Sequence, residues 1–376
     1  MRCCSVFRPN LRFHSDSIRH VKKEETLPLH WSEAAEVFPT ETESARHLPF
    51  NTVVYGNQRL KVVDPSEAVA SLTSAGDIAV AEMHNSDLLP AIYEGGLKIW
   101  ECTHNFLTWL LAEPRVEFPG SKVLDLGCGA GIIGLVALQL GATVHFQDYN
   151  VSVLTAVTMQ NVLLNAREDP HEYRTEDCRY FSGDWQSFLD LTEKEFSDEE
   201  AKYDFIFTSE TIYNPDNHLK LYKVIRDRLK KTGVAYLAAK SCYFGVGGSL
   251  QQFRQLLRRE DVLQSTVCWK SSQGVQKEIL ELTFKGHSPT KVVKPTSTLS
   301  DEPLEDNSLE DGDNNLPTWI KHGNIVSKNM ITWTQETEPK NGEREGNHDT
   351  CAARLDGLRQ AHNLVECSLR SLTMLD

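Results

Sequence analysis

The stretch Lys122-Val-Leu-Asp125-Leu-Gly127-Cys-Gly129-Ala-Gly131-Ile-Ile-Gly134 decides the fold. Its first five residues are a short apolar run of strand type that stops at glycines. Ile132 to Leu140 follows as a buried helix closed by Gly141. A strand passing to a helix through glycines is a βα turn. Glycines there permit positive φ and let a ligand come close to the backbone. The helix start adds free N–H groups and a partial positive charge, which suit an anion.

Outward from this turn, strand and helix signals alternate. Thr143 to Gln147 is the next strand and ends in Asp148, and Val151, Leu154 and Val157 then recur at helical spacing. Arg179 to Ser182, Asp204 to Thr208 and Gly233 to Ala239 read as further strands. Leu219, Tyr222, Ile225 and Leu229 mark one intervening helix, and Leu250, Phe253, Leu256 and Leu257 mark another. STVCW and EILELTF close the series as an antiparallel, hairpin-like pair. Alternating βα units predict an α/β fold, a seven-stranded Rossmann-like sheet with helices on both faces. Right-handed crossovers place the strands' C-terminal ends on one edge, where ligands bind.

The flanks differ from this core. Residues 1–75 are rich in Pro, Glu, Ser and Thr and read as a loosely ordered leader; residues 76–286 form the domain; residues 287–376 form an acidic, mostly disordered tail. SDEPLEDNSLEDGD should stay solvated, and Leu355, Leu358, Val365, Leu369 and Leu372 have the rough spacing of a short terminal helix, which Gly357 weakens. Arg2, Arg8, Arg12 and Arg19 among serines suit a disordered basic N-terminus or a mitochondrial leader, the first being preferred. The net charge of −14 argues against non-specific nucleic-acid binding and is compatible with a basic protein partner. The nine cysteines include no CxxC pair and no zinc spacing, so no metal is expected. No apolar run approaches the roughly 20 residues of a membrane span, so no membrane contact is expected.

Two cofactors compete for the glycine turn. Gly129-Ala-Gly131-Ile-Ile-Gly134 satisfies the dinucleotide pattern GxGxxG, and Asp148 suits a ribose in either case. Asp125 separates them. An acid just ahead of the first glycine repels a pyrophosphate in a partly desolvated site, whereas S-adenosylmethionine has no phosphate and brings an ammonium group and a sulfonium. Methyl transfer is therefore favoured over hydride transfer.

With that turn, the stretches Gly95-Gly-Leu-Lys-Ile-Trp100-Glu101-Cys-Thr103 and Ser209-Glu210-Thr-Ile-Tyr213 resemble the seven-strand, class I protein methyltransferases grouped as methyltransferase family sixteen. GGLKIWECT together with SETIYNPDNH is similar to the histidine-modifying branch of that group. The resemblance spans about Ile78 to Phe284. It implies S-adenosyl-L-methionine as cofactor and assigns Ile99, Trp100, Glu101, Cys102 and Thr103 to the segment lying over it. It makes Gly127 the closest backbone contact in a turn shared with Asp125, Gly129 and Gly131. Gln147, Asp148 and Tyr149 match the ribose segment, Gly183, Asp184 and Trp185 the adenine pocket, and Ser209 a place beneath the transferred methyl. It further implies, as substrate, a histidine of the third large-subunit ribosomal protein, methylated on the tele nitrogen. A role in ribosome assembly or translation, in nucleus, nucleolus and cytosol, goes with that substrate.

Several residues keep a plain alternative. Trp100 also reads as core, Trp185 as packing, Asp184 as the start of a helix and His218 as a capping or surface residue. Glu210 and Tyr213, three apart, either face the substrate together or share a structural hydrogen bond. A neutral imidazole, with pKa near 6.5, needs no strong base for attack on the sulfonium methyl. It needs an acceptor for its second N–H. Glu210, Asp216 and Asn217, with Tyr213 beside them, are the candidates. A lysine acceptor would need deprotonation first, and the residues themselves do not choose between the two. A non-catalytic scaffold is the third reading.

Overall fold

The computed structural model describes residues 30–39, 48–70, 76–113, 116–166, 175, 178–272 and 274–290. The basic N-terminus, the acidic run and the terminal helix expected from sequence lie outside them. The strands are β1 (Ala35–Val37), β2 (Phe50–Tyr55), β3 (Gln58–Val63), β4 (Lys122–Leu126), β5 (Thr143–Asp148), β6 (Cys178–Ser182), β7 (Tyr203–Ser209), β8 (Leu229–Lys240), β9 (Leu263–Lys270) and β10 (Lys277–Phe284). The helices are α1 (Pro65–Ala70), α2 (Gly76–Met83), α3 (Glu101–Ala112) and α4 (Ile132–Gln139), then α5, α6 (Trp185–Thr192), α7 (His218–Arg228) and α8 (Leu250–Glu260). Helix α5 begins at Val151–Val153, passes through a π-turn at Leu154–Thr158 and continues as Met159–Ala166. No helix among the described residues is long and apolar enough to cross a membrane.

The main sheet runs β1-β6-β5-β4-β7-β8-β10-β9. Pairs β4–β5, β4–β7, β5–β6 and β7–β8 are parallel, whereas β8–β10, β10–β9 and β1–β6 are antiparallel. Chain order reverses at β4, with β5 on one side and β7 on the other, so the C-terminal ends of these strands open a crevice there.

The two-sided burial of the sheet explains its nearly continuous apolar strands. In β7, Phe205 and Phe207 join one core while Tyr203 and Ile206 join the other. In β8, Val234, Tyr236 and Ala238 alternate with Ala235, Leu237 and Ala239 in the same way. A one-residue slip of either strand would exchange its two faces. Helix α4 is apolar all round because it is sunk between elements, with Ile132 to Leu138 buried. Gly134 lets it lie against β5: a Cβ there would sit 2.4 Å from the ring of Phe146. The last glycine of the apparent dinucleotide pattern is thus a helix–sheet packing residue.

The loosely ordered leader is corrected for residues 30–39 and 48–70. Strand β1 adds an eighth strand to the expected seven by pairing with β6, with Arg179 bridging to Glu36 at 2.7 Å. Strands β2 and β3 form a hairpin that pairs Phe50 with Val63 through Tyr55 with Gln58. Its turn, Gly56-Asn57, sits between alternating apolar strands, which is a hairpin signal that the composition of the flank obscured. The hairpin is tied down by α5: Asn161 Oδ1 accepts from Val63 N–H and Asn165 Oδ1 from Lys61 N–H, each at 2.9 Å. Those two asparagines are four apart, on one helix face.

Candidate active site

The crevice at the C-terminal ends of β4, β5, β7 and β8 is a cavity of about 520 Å³. The glycine turn forms its floor. Gly129 has φ of +52°, and a Cβ there would meet the Gly96 carbonyl at 2.8 Å. The missing side chain of Gly129 is therefore what allows the segment entering α3 to cross close over the turn. Gly129 N–H donates to Asp148 Oδ2 at 2.8 Å, and Asn150 N–H donates to Oδ1 at 3.2 Å. Thr158 hydroxyl donates to the Gly129 carbonyl at 2.6 Å. Thr158 is the last residue of the π-turn, an irregularity that re-aims a side chain within a helix.

Two buried acids face this turn. Asp125 is 1% exposed, and its Oδ2 accepts from Gly134 N–H at 2.8 Å. Burial pushes its pKa up to about 8, against that hydrogen bond, with the nearby Asp148 adding to the rise. Burial likewise pushes Asp148 up to about 6, opposed by the N–H groups of Gly129 and Asn150. An ammonium group and ribose hydroxyls are met by the ionised forms of these acids, whereas a pyrophosphate would have to hold both carboxyls neutral.

The adenine end is built by cross-braced side chains. Gln147 is fully buried and does not line the cavity; it accepts from Trp185 Nε1–H and donates to the Gly183 carbonyl, both at 2.8 Å. It fixes the indole that forms the wall. Asp184 lines the cavity, yet its carboxylate is occupied: Oδ2 caps α6 by accepting from Gln186 N–H at 3.0 Å, and Oδ1 pairs with Lys220. The start-of-helix alternative for Asp184 holds, and the backbone there is engaged as well: Gly183 N–H donates to the Tyr149 carbonyl and Asp184 N–H to the Ser32 carbonyl, each at 3.0 Å. Trp31, from the leader, also lines this end and meets the Tyr149 ring edge to face at 5.6 Å. Tyr149 hydroxyl accepts from Ser32 N–H at 3.0 Å and donates to the Ala91 carbonyl at 2.8 Å.

The opposite end gathers Ile99, Trp100, Glu101, Thr103, Ser209 and Glu210. Trp100 is half-buried, and its Nε1–H donates to the Gly95 carbonyl at 3.0 Å. Thr103 hydroxyl donates to Ser209 Oγ at 3.1 Å. Glu210 adopts a left-handed backbone, φ +60°, and is the one of four such non-glycine residues among the described residues that lines the cavity. Its Oε1 accepts from Cys102 N–H at 3.2 Å and lies 3.6 Å from Lys240 Nζ. Cys102 itself is buried and serves as backbone donor. The Tyr243 hydroxyl and the Cys102 thiol flank the carboxylate, and burial, reinforced by that charge, pushes both up. Glu210 Oε2 and Asn217 Oδ1, on residues each 6% exposed, are buried without a hydrogen-bond partner among the described residues.

Tyr213 takes its structural alternative, hydrogen-bonding Glu94 rather than Glu210. Burial raises the pKa of both partners. Asp216 is exposed and Gly131 lies behind the turn, so neither lines the cavity. His218 is buried with Nε2 at 2.8 Å from the Ile212 carbonyl, a structural post. Sequence reading missed Glu94, Lys240, Tyr243 and Trp31. A legible signal existed for Lys240, a lone charge ending the apolar run GVAYLAAK on the ligand-binding edge.

The residues fit S-adenosylmethionine. The floor has room for a ligand backbone, a carboxylate partner for ribose hydroxyls and a second acid for the amino group. Sheet order, glycine turn and the acid ending the next strand together define a class I, S-adenosylmethionine-dependent methyltransferase. A family model described as lysine methyltransferase matches residues 92–245. The histidine protein methyltransferase 1 homologue of Mus musculus is 39% identical over 255 residues, covering 62% of this chain and 67% of that protein. That of Bos taurus is 37% identical over 287 residues, covering 70% and 73%. A solved TehB-like SAM-dependent methyltransferase from Corynebacterium glutamicum is 18% identical with a TM-score of 0.35, covering 59% of this chain and 100% of that one. The chain belongs to the histidine protein methyltransferase 1 homologue family and is an S-adenosylmethionine-dependent protein methyltransferase.

Proposed function

We propose that this enzyme methylates a histidine side chain, on the tele nitrogen, in a basic protein of the large ribosomal subunit. The observation that carries the reading is the pair of buried acceptor atoms, Glu210 Oε2 and Asn217 Oδ1, that have no hydrogen-bond partner among the described residues, in the cavity that holds the cofactor turn. A buried acceptor without a partner is costly, and a ligand N–H relieves that cost. When bound, S-adenosylmethionine supplies an electrophilic methyl on a sulfonium. Glu210 and Asn217 then offer acceptors to the imidazole N–H that does not attack, fixing the tautomer and stabilising the cation that forms. The walls from Trp100 and Tyr243 exclude water and hold the ring in line. The relatives' names support histidine, and the chain's net charge of −14 supports a basic partner. Tuning of ribosome assembly or translation, in nucleus, nucleolus and cytosol, is the role such a substrate gives.

Lysine is the second reading, favoured by the description of the matching family model. Radiolabelled methyl transfer into a ribosomal lysate, followed by peptide mass spectrometry, decides between them. The expected product is methylhistidine on a large-subunit protein. Methyl-lysine with no methylhistidine would overturn the substrate.

A further inference from the structure

We infer that Lys240 sets acceptor specificity: its ammonium, held beside Glu210 in the acceptor end of the cavity, cancels the carboxylate's attraction for a protonated amine and leaves the site selective for an uncharged imidazole. This inference rests on the histidine reading above and deepens it.

Lys240 ends β8, and its Nζ lies 3.6 Å from Glu210 Oε1 and 5.9 Å from the Trp100 ring centroid. Its side chain lines the same cavity as Ser209, Glu210 and Asn217. The other groups around it do not supply a compensating charge. Glu101, from α3, is bonded to Lys277 of β10, whose partner across the strands is Lys240 itself. Tyr243 and Cys102 are held protonated by burial. Lys98, over the Trp100 ring at 4.8 Å, is paired with Asp87 at 2.8 Å. The two carboxylates of the acceptor end, Glu101 and Glu210, are thus each matched by an ammonium, Lys277 and Lys240.

A lysine side chain arrives as an ammonium. A bare carboxylate in this half-desolvated pocket would attract it strongly, because charge interactions strengthen as water is excluded. With Lys240 in place that attraction is offset, and the incoming cation also meets the sulfonium of the donor. A neutral imidazole faces neither term. It still finds hydrogen-bond acceptors, since Glu210 Oε2 and Asn217 Oδ1 have no partner among the described residues while Oε1 faces the lysine. Selection thus works by withholding attraction from the wrong charge, which still loses its hydration on entry, as well as by matching the right donor.

The test uses the full chain and peptides that differ at the target residue: histidine, lysine or norleucine. Values of kcat/KM are measured for the first two with wild type, Lys240→Gln and Lys240→Arg. Wild type prefers histidine. Lys240→Gln raises the lysine-to-histidine ratio at least tenfold, and Lys240→Arg leaves it within about threefold. An unchanged ratio in Lys240→Gln, with histidine methylation intact in wild type, overturns this inference and spares the histidine reading. Methylation of the lysine peptide and not the histidine peptide by wild type overturns both. Should Lys240→Gln fail to fold, wild type alone decides: without donor, the lysine peptide binds at least tenfold more weakly than the norleucine peptide. Equal or tighter binding of lysine overturns the inference.

Discussion

The two ends of the cavity are finished to different degrees. At the glycine turn and adenine wall, Asp148, Asp125, Asp184 and Gln147 all have their side chains engaged with backbone N–H groups or with each other's supports. At the acceptor end, Glu210 and Asn217 keep buried oxygens without partners among the described residues, and Glu210 sits in a left-handed backbone. A site whose polar groups are already satisfied is set before its ligand arrives. One that leaves acceptors open is completed by its substrate. The cofactor end is thus the preorganised half, and the acceptor end is the half where binding energy goes into alignment.

The largest break of this contrast should come from Gly129→Ala. Its Cβ would collide with the Gly96 carbonyl at 2.8 Å, at a φ that alanine resists, so calorimetric titration should detect no donor binding. Retained micromolar binding would contradict the tight crossing. Next, Glu210→Gln should lower kcat by about 10²-fold, the usual scale for a lost charged partner of a proton, while donor affinity stays within about threefold. Parallel losses of both would merge the two halves into one. Asp148→Ala should weaken donor binding by about 3 kcal/mol, roughly 100-fold, since two charge-assisted bonds to ribose hydroxyls go.

A smaller effect concerns pH. Burial holds Asp125 at about 8 and Asp148 at about 6, above the ordinary 3.8, so both bind protons at pH values where a free carboxyl has none. An ammonium group and ribose hydroxyls favour the ionised forms, so donor binding releases protons and affinity rises with pH. The rise should span about pH 6 to 8, the range set by the two carboxyls of the unliganded protein. Calorimetry in buffers of different ionisation enthalpy measures the released protons; zero release across that window would remove the two acids from the account.

The central sheet was readable from the sequence because its strands are buried on both faces and punctuated by glycines, a pattern that KVLDLGCGAG carries openly. The pair β9–β10 was readable from its β-rich runs STVCW and EILELTF, although β9 is largely exposed. The hairpin of β2 and β3 was not recognised, although Gly56-Asn57 marks it, because Pro, Glu, Ser and Thr dominate the flank around it. Strand β1 has three residues, too few to show a period, and its place depends on Gly183 letting the backbone of Glu33 and Ala34 lie within 2.7 Å of a Cβ position. Glu94, Lys240 and Trp31 reach the cavity from three separate parts of the chain, a convergence that spacing does not reveal. Gln147 was placed in the site for its position beside Asp148; it acts one layer back, on Trp185.

Calorimetric titration of the intact chain with S-adenosylmethionine, and separately with NADH, tests the central claim most directly. The account predicts one-to-one binding of the methyl donor and no heat from the dinucleotide, whose pyrophosphate would face Asp125 and Asp148. Binding of NADH with no affinity for S-adenosylmethionine would contradict it.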